Sequence, residues 1–226
     1  MPQTNGNLEY QKVIDYIYNK ICAGQLIVGS KLPTERAMAE ELGIGRNSTR
    51  EALSILSGMG MVERVHGSGN YIAENAHKGI RQIISMTLAL GTITERNILE
   101  FRKMLERSVC AMVTEKGLSD AQNAHFKQIL SNMKVSDKGK RLYLDKEFHD
   151  SLIRATGNPI FISIMDAITD IYLDGMREVI DKADDEITRR LLKIHQGNYQ
   201  GIAEKDQDKA LQYLEEHFNL VEQMMV

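Results

Sequence analysis

From Ile80 to Val226 the chain shows no alternation of the strand type. Its apolar residues recur at helical spacing in about seven blocks: 80–90, 95–116, 119–133, 138–156, 159–181, 184–203 and 207–225. Legible breakers separate them: Gly91-Thr92, Gly117, Ser136 to Gly139, Gly157 to Pro159, Ala183 to Asp185, and Asp206. Connections this short favour antiparallel neighbours, so the segment is expected to be an all-helical bundle. Of the 226 residues, 42% are hydrophobic, which is enough for this bundle and a second core. A charged fraction of 26% and only three prolines argue for an ordered, helix-rich chain rather than a disordered one.

The remainder follows a different plan. Leu8, Val13, Ile14, Ile17 and Ile21 mark one amphipathic helix over 8–22, which Gly24 and Gly29 end. Thr34, after Pro33, is placed to cap a second helix from Glu35 to Glu41, and Gly43 supplies a tight turn. A third helix from about Asn47 to Gly58 buries Ala52, Leu53, Ile55 and Leu56. Two extended segments, Val62–Val65 and Asn70–Ala73, flank His66-Gly67-Ser68-Gly69, a composition suited to a hairpin. Helix, helix, tight turn, helix and hairpin make a winged helix-turn-helix over 8–73. A polar linker over 74–79 and a helical domain of about seven helices over 80–226 complete a mainly α chain.

A helix-turn-helix reads bases with the N-terminal end of its second helix, where this chain offers Arg46, Asn47, Thr49 and Arg50. The guanidinium fork suits guanine O6 and N7. Arg36 on the preceding helix, and His66 and Gly67 at the hairpin tip, extend the candidate DNA-contact set. Net charge is −3, so any grip on DNA must come from this local cluster, and the same arginines also fit an ordinary solvated face. The N-terminus lacks a charged-then-apolar signal pattern, and no stretch is long and apolar enough to span a bilayer. Cys22 and Cys110 lie in apolar helical surroundings and read as small core residues in a reducing compartment. A cytoplasmic protein without membrane contact is expected.

In the helical half, Asp145 and His149 are four residues apart and project from one helix face. His195 and His217 sit on two later helices. Packed side by side, these helices would aim one carboxylate and three imidazoles at a common point, a set suited to a divalent first-row ion such as zinc, nickel or manganese. Each histidine alone also reads as a satisfied interior or surface residue, and Asp145 as a partner of Lys146 or Arg141.

Two resemblances sharpen this. The runs GSKLPTER (Gly29–Arg36), AEELGIGR (Ala39–Arg46), TREAL (Thr49–Leu53), GMVER (Gly60–Arg64) and GSG (Gly67–Gly69) resemble the GntR family of winged-helix regulators across nearly all of 10–73. The resemblance implies DNA contacts from Arg36, Arg46, Arg50 and Gly67. Gly45 stands where the family usually has Ser, and Ser48 where it often has Pro, which alters the start of the recognition helix. Glu100-Phe101-Arg102 with Glu106, Asp145 with His149, Gly157 to Pro159, His195 and His217 resemble the FCD ligand-binding domain of the FadR subfamily over about 80–223. That resemblance implies a divalent metal on Asp145, His149, His195 and His217, a small organic-acid effector whose carboxylate reaches it, and contact between Arg102 and that anion. The competing role for Arg102 is an internal salt bridge to Glu106.

The expected protein is therefore a homodimeric regulator, a repressor and not an enzyme, on double-stranded operator DNA with half-sites about 34 Å apart. Two other readings compete. A metalloenzyme using the Asp/His site lacks a visible general base and any GxSxG nucleophile. A helical dimerisation module without effector would leave the histidines structural.

Overall fold

Two units make up the chain, Met1–Ile83 and Ile84–Val226. The computed structural model describes residues 6–136, 138–181 and 184–225. The breaks expected at Ser136 to Gly139 and Ala183 to Asp185 include Asp137 and Ala183, which lie outside the described residues.

In the first unit α1 (Gly6–Cys22), α2 (Glu35–Leu42) and α3 (Arg46–Gly58) precede a hairpin of β1 (Val62–Val65) and β2 (Gly69–Ile72). Thr34 caps α2 as expected, its hydroxyl accepting from the Ala37 amide. Gly43 ends α2 at φ 64°, a left-handed conformation that suits glycine. Val13, Ile17, Met38, Leu53, Val62 and Ile72 form the core. The strands pair antiparallel with Val62 opposite Ile72 and Val65 opposite Gly69. The second strand thus lies one residue earlier than expected, because Gly69 closes the ladder at the turn.

Four local readings are corrected. The linker expected over 74–79 is helical from Ala76, where α4 (Ala76–Ala89) begins. The recognition helix starts at Arg46, not Asn47. Cys22 is exposed; only Cys110 is a core residue. Thr49, expected to face DNA, is fully buried, and its hydroxyl donates to the Gly45 carbonyl at 3.3 Å. Its place is set by period: Thr49, Ala52, Leu53 and Leu56 form the inward stripe of α3.

Six further helices fill the second unit: α5 (Glu95–Lys116), α6 (Asp120–Val135), α7 (Lys138–Ala155), α8 (Pro159–Asp181), α9 (Asp185–Glu204) and α10 (Gln207–Met224). Capping boxes start α5 at Thr94 and α6 at Ser119. Phe126, Phe148, Leu152, Met165, Ile202 and Phe218 are almost completely buried, and the Phe126 and Phe148 rings meet edge to face at 5.2 Å. Burial of side chains this size is worth roughly 1.5–3 kcal/mol each.

Glycine lets α9 and α10 approach closely. A Cβ on Gly201 would lie 2.5 Å from the Ala210 backbone nitrogen, and one on Gly197 would lie 2.4 Å from the Tyr213 ring. The first clash is with backbone, which cannot swing aside. In most helices replacing glycine gains a few tenths to ~1 kcal/mol of propensity; here overpacking outweighs it. Gly201→Val is expected to lower unfolding free energy by ~2–3 kcal/mol in urea denaturation. An unchanged midpoint would show that the two helices are not in this contact.

Candidate metal centre and nucleic-acid face

The face for nucleic acid is built on α2, α3 and the hairpin. Arg46 and Asn47 are exposed at the start of α3, and His66 and Gly67 are exposed at the hairpin tip. Arg50 bonds Glu35 through Nε and Nη2, at 3.2 and 3.1 Å. Arg36 pairs with Glu40 at 2.8 Å. Exposed pairs of this type are worth ~0–1 kcal/mol, so both arginines can leave their carboxylates at small cost. Arg64 on β1 was missed from the sequence. Its Nη2 bonds the Ser54 hydroxyl on α3 at 2.8 Å, which brings a further exposed arginine to the helix. Its place in the GMVER run was the only signal.

Gly45 precedes α3 without a capping side chain. Glu9 from α1 takes over: one carboxylate oxygen accepts from the Ser48 hydroxyl at 2.8 Å and the Gly45 amide at 3.4 Å. The Ser48 bond, then that of Gly45, lowers the Glu9 pKa below its usual 4.5. Both departures from the family pattern are thus answered by one carboxylate.

In the second unit α7 carries Asp145 and His149, α9 carries His195 and α10 carries His217. One donor atom from each lies within 4.8 Å of all the others, and the three imidazoles are buried. Ring centroids are 4.5 Å apart for His149 and His217, 4.9 Å for His195 and His217, and 5.4 Å for His149 and His195. Donors on opposite sides of an ion would be about 4.2 Å apart, at a metal–nitrogen distance of ~2.1 Å. The set needs only a small contraction to close on one.

Hydrogen bonds set the imidazole tautomers. His149 donates from Nδ1 to Glu106 Oε2 at 2.5 Å, and His195 from Nδ1 to the Leu191 carbonyl at 2.8 Å. In the neutral form of each ring Nε2 is then left with its lone pair facing the cluster, the arrangement common to ligating histidines. His149 Nε2, His195 Nε2 and both His217 nitrogens are buried without a hydrogen-bond partner. His195 Nε2 approaches Asp145 Oδ1 at 3.1 Å but has no hydrogen-bond partner. Buried polar atoms are nearly always satisfied, so this concentration of unsatisfied donors fits a cation. Three imidazoles and a carboxylate suit the divalent ions expected from the sequence.

Charge within the cluster is coupled, and an ion bound there would displace the second proton that Glu106 favours on His149. Burial, then positive charge on His149, pushes His217 well below its ordinary value, leaving it neutral. For Asp145, burial opposes ionisation, but His195, then His149 and His217, hold the carboxyl well below its usual range. Burial also disfavours charge on His149; Glu106 outweighs it and raises the value. Glu106 itself is lowered, because Arg102 and His149 overcome the cost of its burial. Arg102 Nε donates to Glu106 Oε1 at 2.7 Å, and its guanidinium lies 4.1 Å from the Tyr172 ring centroid. The salt bridge weighed for Arg102 is thus present, yet Arg102 Nη2 is buried without a partner. Glu106 was legible only as the neighbour of Arg102; its second oxygen on His149 was not.

A cavity of about 260 Å³ reaches Asp145 and His195. Met133, Leu142 and Leu192 give it apolar walls, with Arg141, Arg189 and Lys134 also on its lining. Among the described residues, no helix is long and apolar enough to cross a membrane.

Comparison with known proteins matches residues 9–72 to the bacterial regulatory proteins of the gntR family and residues 97–220 to the FCD domain. The chain is 32% identical over 157 residues to the HTH-type transcriptional regulator LutR of Bacillus subtilis, covering 69% of this chain and 71% of that protein. It is 28% identical over 200 residues to the HTH-type transcriptional repressor NanR of an Enterobacter species, covering 85% and 76%. A Streptococcus agalactiae GntR structure superposes with a TM-score of 0.73 at 24% identity, over 95% of this chain and 99% of that one, so the fold is shared.

The Glu9 cap has a pH signature. A lowered carboxylate stabilises the fold fully above its unfolded value near 4.5, and that contribution is lost as pH falls through the folded value. Glu9→Gln is expected to speed amide hydrogen exchange in the first turn of α3 at pH 7. The two proteins should converge at acid pH; equal exchange at pH 7 would contradict the cap.

Proposed function

This chain belongs to the gntR family of bacterial regulatory proteins and carries an FCD domain, and on that premise we propose that it is a repressor governed by a metal-held organic acid. A transcription regulator of this type binds operator DNA; its family and relatives are regulators, not enzymes. A small carboxylate effector binds beside a divalent ion on Asp145, His149, His195 and His217, in a cytoplasmic homodimer. The four convergent donors, with unsatisfied imidazole nitrogens facing one another, carry it. Repression is the sense named for NanR, whereas the similar Glc operon protein of Escherichia coli is named an activator.

A bound divalent ion supplies the position at which a carboxylate effector is held. The chain's own residues do the rest. Glu106 and the Leu191 carbonyl orient His149 and His195, and burial keeps His217 neutral. Apolar walls keep water from competing for the acid. Arg102 holds Glu106 in place and keeps one unpartnered nitrogen for an anion. The acid then shifts the balance between states of high and low operator affinity; a swing from 99:1 to 1:99 needs ~5.5 kcal/mol of differential binding. A helical dimerisation module alone would leave the unsatisfied nitrogens unexplained.

DNA reading is assigned to Arg36, Arg46, Asn47, Arg50, His66 and Gly67, without the buried Thr49. Arg46→Ala and Arg50→Ala are each expected to cost ~1–3 kcal/mol of specific binding to an operator selected from random DNA, measured by fluorescence anisotropy. Undiminished affinity in both would overturn that assignment. For the metal, zinc at 100 times its dissociation constant should stabilise the wild-type chain by ~2.7 kcal/mol. Asp145→Ala should lose most of this shift, and equal shifts in the two proteins would place the ion elsewhere.

A further inference from the structure

The cavity beside Asp145 and His195 carries more positive charge than a metal-held monocarboxylate needs. Arg141 from α7, Arg189 from α9 and Lys134 from α6 line it, against the single carboxylate of Asp145, which already faces His195 at 3.1 Å. Arg189 and Lys134 are exposed, and Arg189 Nε donates to the Asp185 carbonyl. Arg141 is different. It is half-buried, and its Nε lies out of water with no hydrogen-bond partner. Arg102 donates through Nε to Glu106 and is not on this lining.

Arg141 stands one helical turn before Asp145. Their Cβ atoms are therefore about 5–6 Å apart on one face of α7. A guanidinium nitrogen cut off from water recovers its desolvation cost only when an acceptor reaches it. The planar fork matches a carboxylate or a phosphate. A volume of about 260 Å³ falls below the roughly 300–1,000 Å³ of clefts for drug-sized ligands, which limits the occupant to a few carbons.

We infer that the cavity takes a small dianion, whose proximal carboxylate lies beside Asp145 and His195 and whose distal carboxylate or phosphate group is held by Arg141. This rests on the metal-held organic acid proposed above and adds a second anionic group to it. Arg189 and Lys134 raise the local concentration of such an ion at the mouth. Arg141 then selects dianions over simple monocarboxylates.

The test is calorimetric titration of the zinc-loaded full chain with butyrate, glutarate and 3-phosphonopropionate. Glutarate or 3-phosphonopropionate is expected to bind at least about tenfold more tightly than butyrate. The tighter of the two identifies the distal group. Arg141→Gln should reduce that preference to within about threefold while zinc per chain, from elemental analysis, stays the same. Arg141→Lys should restore part of it. Equal, zinc-dependent binding of all three acids overturns the inference and leaves the metal-held acid standing. So does a preference that survives Arg141→Gln with zinc retained. No binding of any acid with zinc bound overturns both.

Discussion

Out of water, His149, His195 and His217 must satisfy one another or something they share. A buried polar atom without a partner costs ~1–3 kcal/mol, and four such nitrogens gather here. Few folds of this size tolerate that sum, since net stability is itself only ~5–15 kcal/mol. The cluster persists because its surroundings are rigid. Glu106 spans Arg102 and His149, the Leu191 carbonyl holds His195, and Gly201 lets α9 and α10 close on each other. A shared cation would turn the same burial from a cost into a contribution to folding.

The helices were largely legible because their breakers are. Gly91, Gly117, Gly157 and Asp206 end apolar periods that no strand shows. Asp145 and His149 could be paired from spacing alone. That His195 and His217 join them depends on which faces of α9 and α10 meet, and Gly197 and Gly201 decide this by permitting approach, which periodicity does not report. Thr49 was misplaced because its polar type hid an inward position that the spacing of Ala52, Leu53 and Leu56 already implied. Arg141 read as a mere partner of Asp145; only the cavity distinguishes it.

An acidic chain carries an exposed basic set on its first unit. Arg36 and Arg50 are held meanwhile by Glu40 and Glu35, weak pairs that pre-position the guanidiniums and release them at little cost. Net charge is therefore uninformative about this face, whereas the placement of each arginine at a helix start or strand is. The effector side follows the same logic in reverse. There Arg102, Glu106 and His149 are buried and paired with one another, so their orientation is fixed before any ligand arrives.

X-ray absorption on the zinc-reconstituted chain reads the atoms around the ion. One ion per chain is expected, bound by three imidazole nitrogens and carboxylate oxygen, with loss of one imidazole in His217→Ala. A shell with sulfur, an all-oxygen shell, or an unchanged imidazole count in that variant would contradict that assignment.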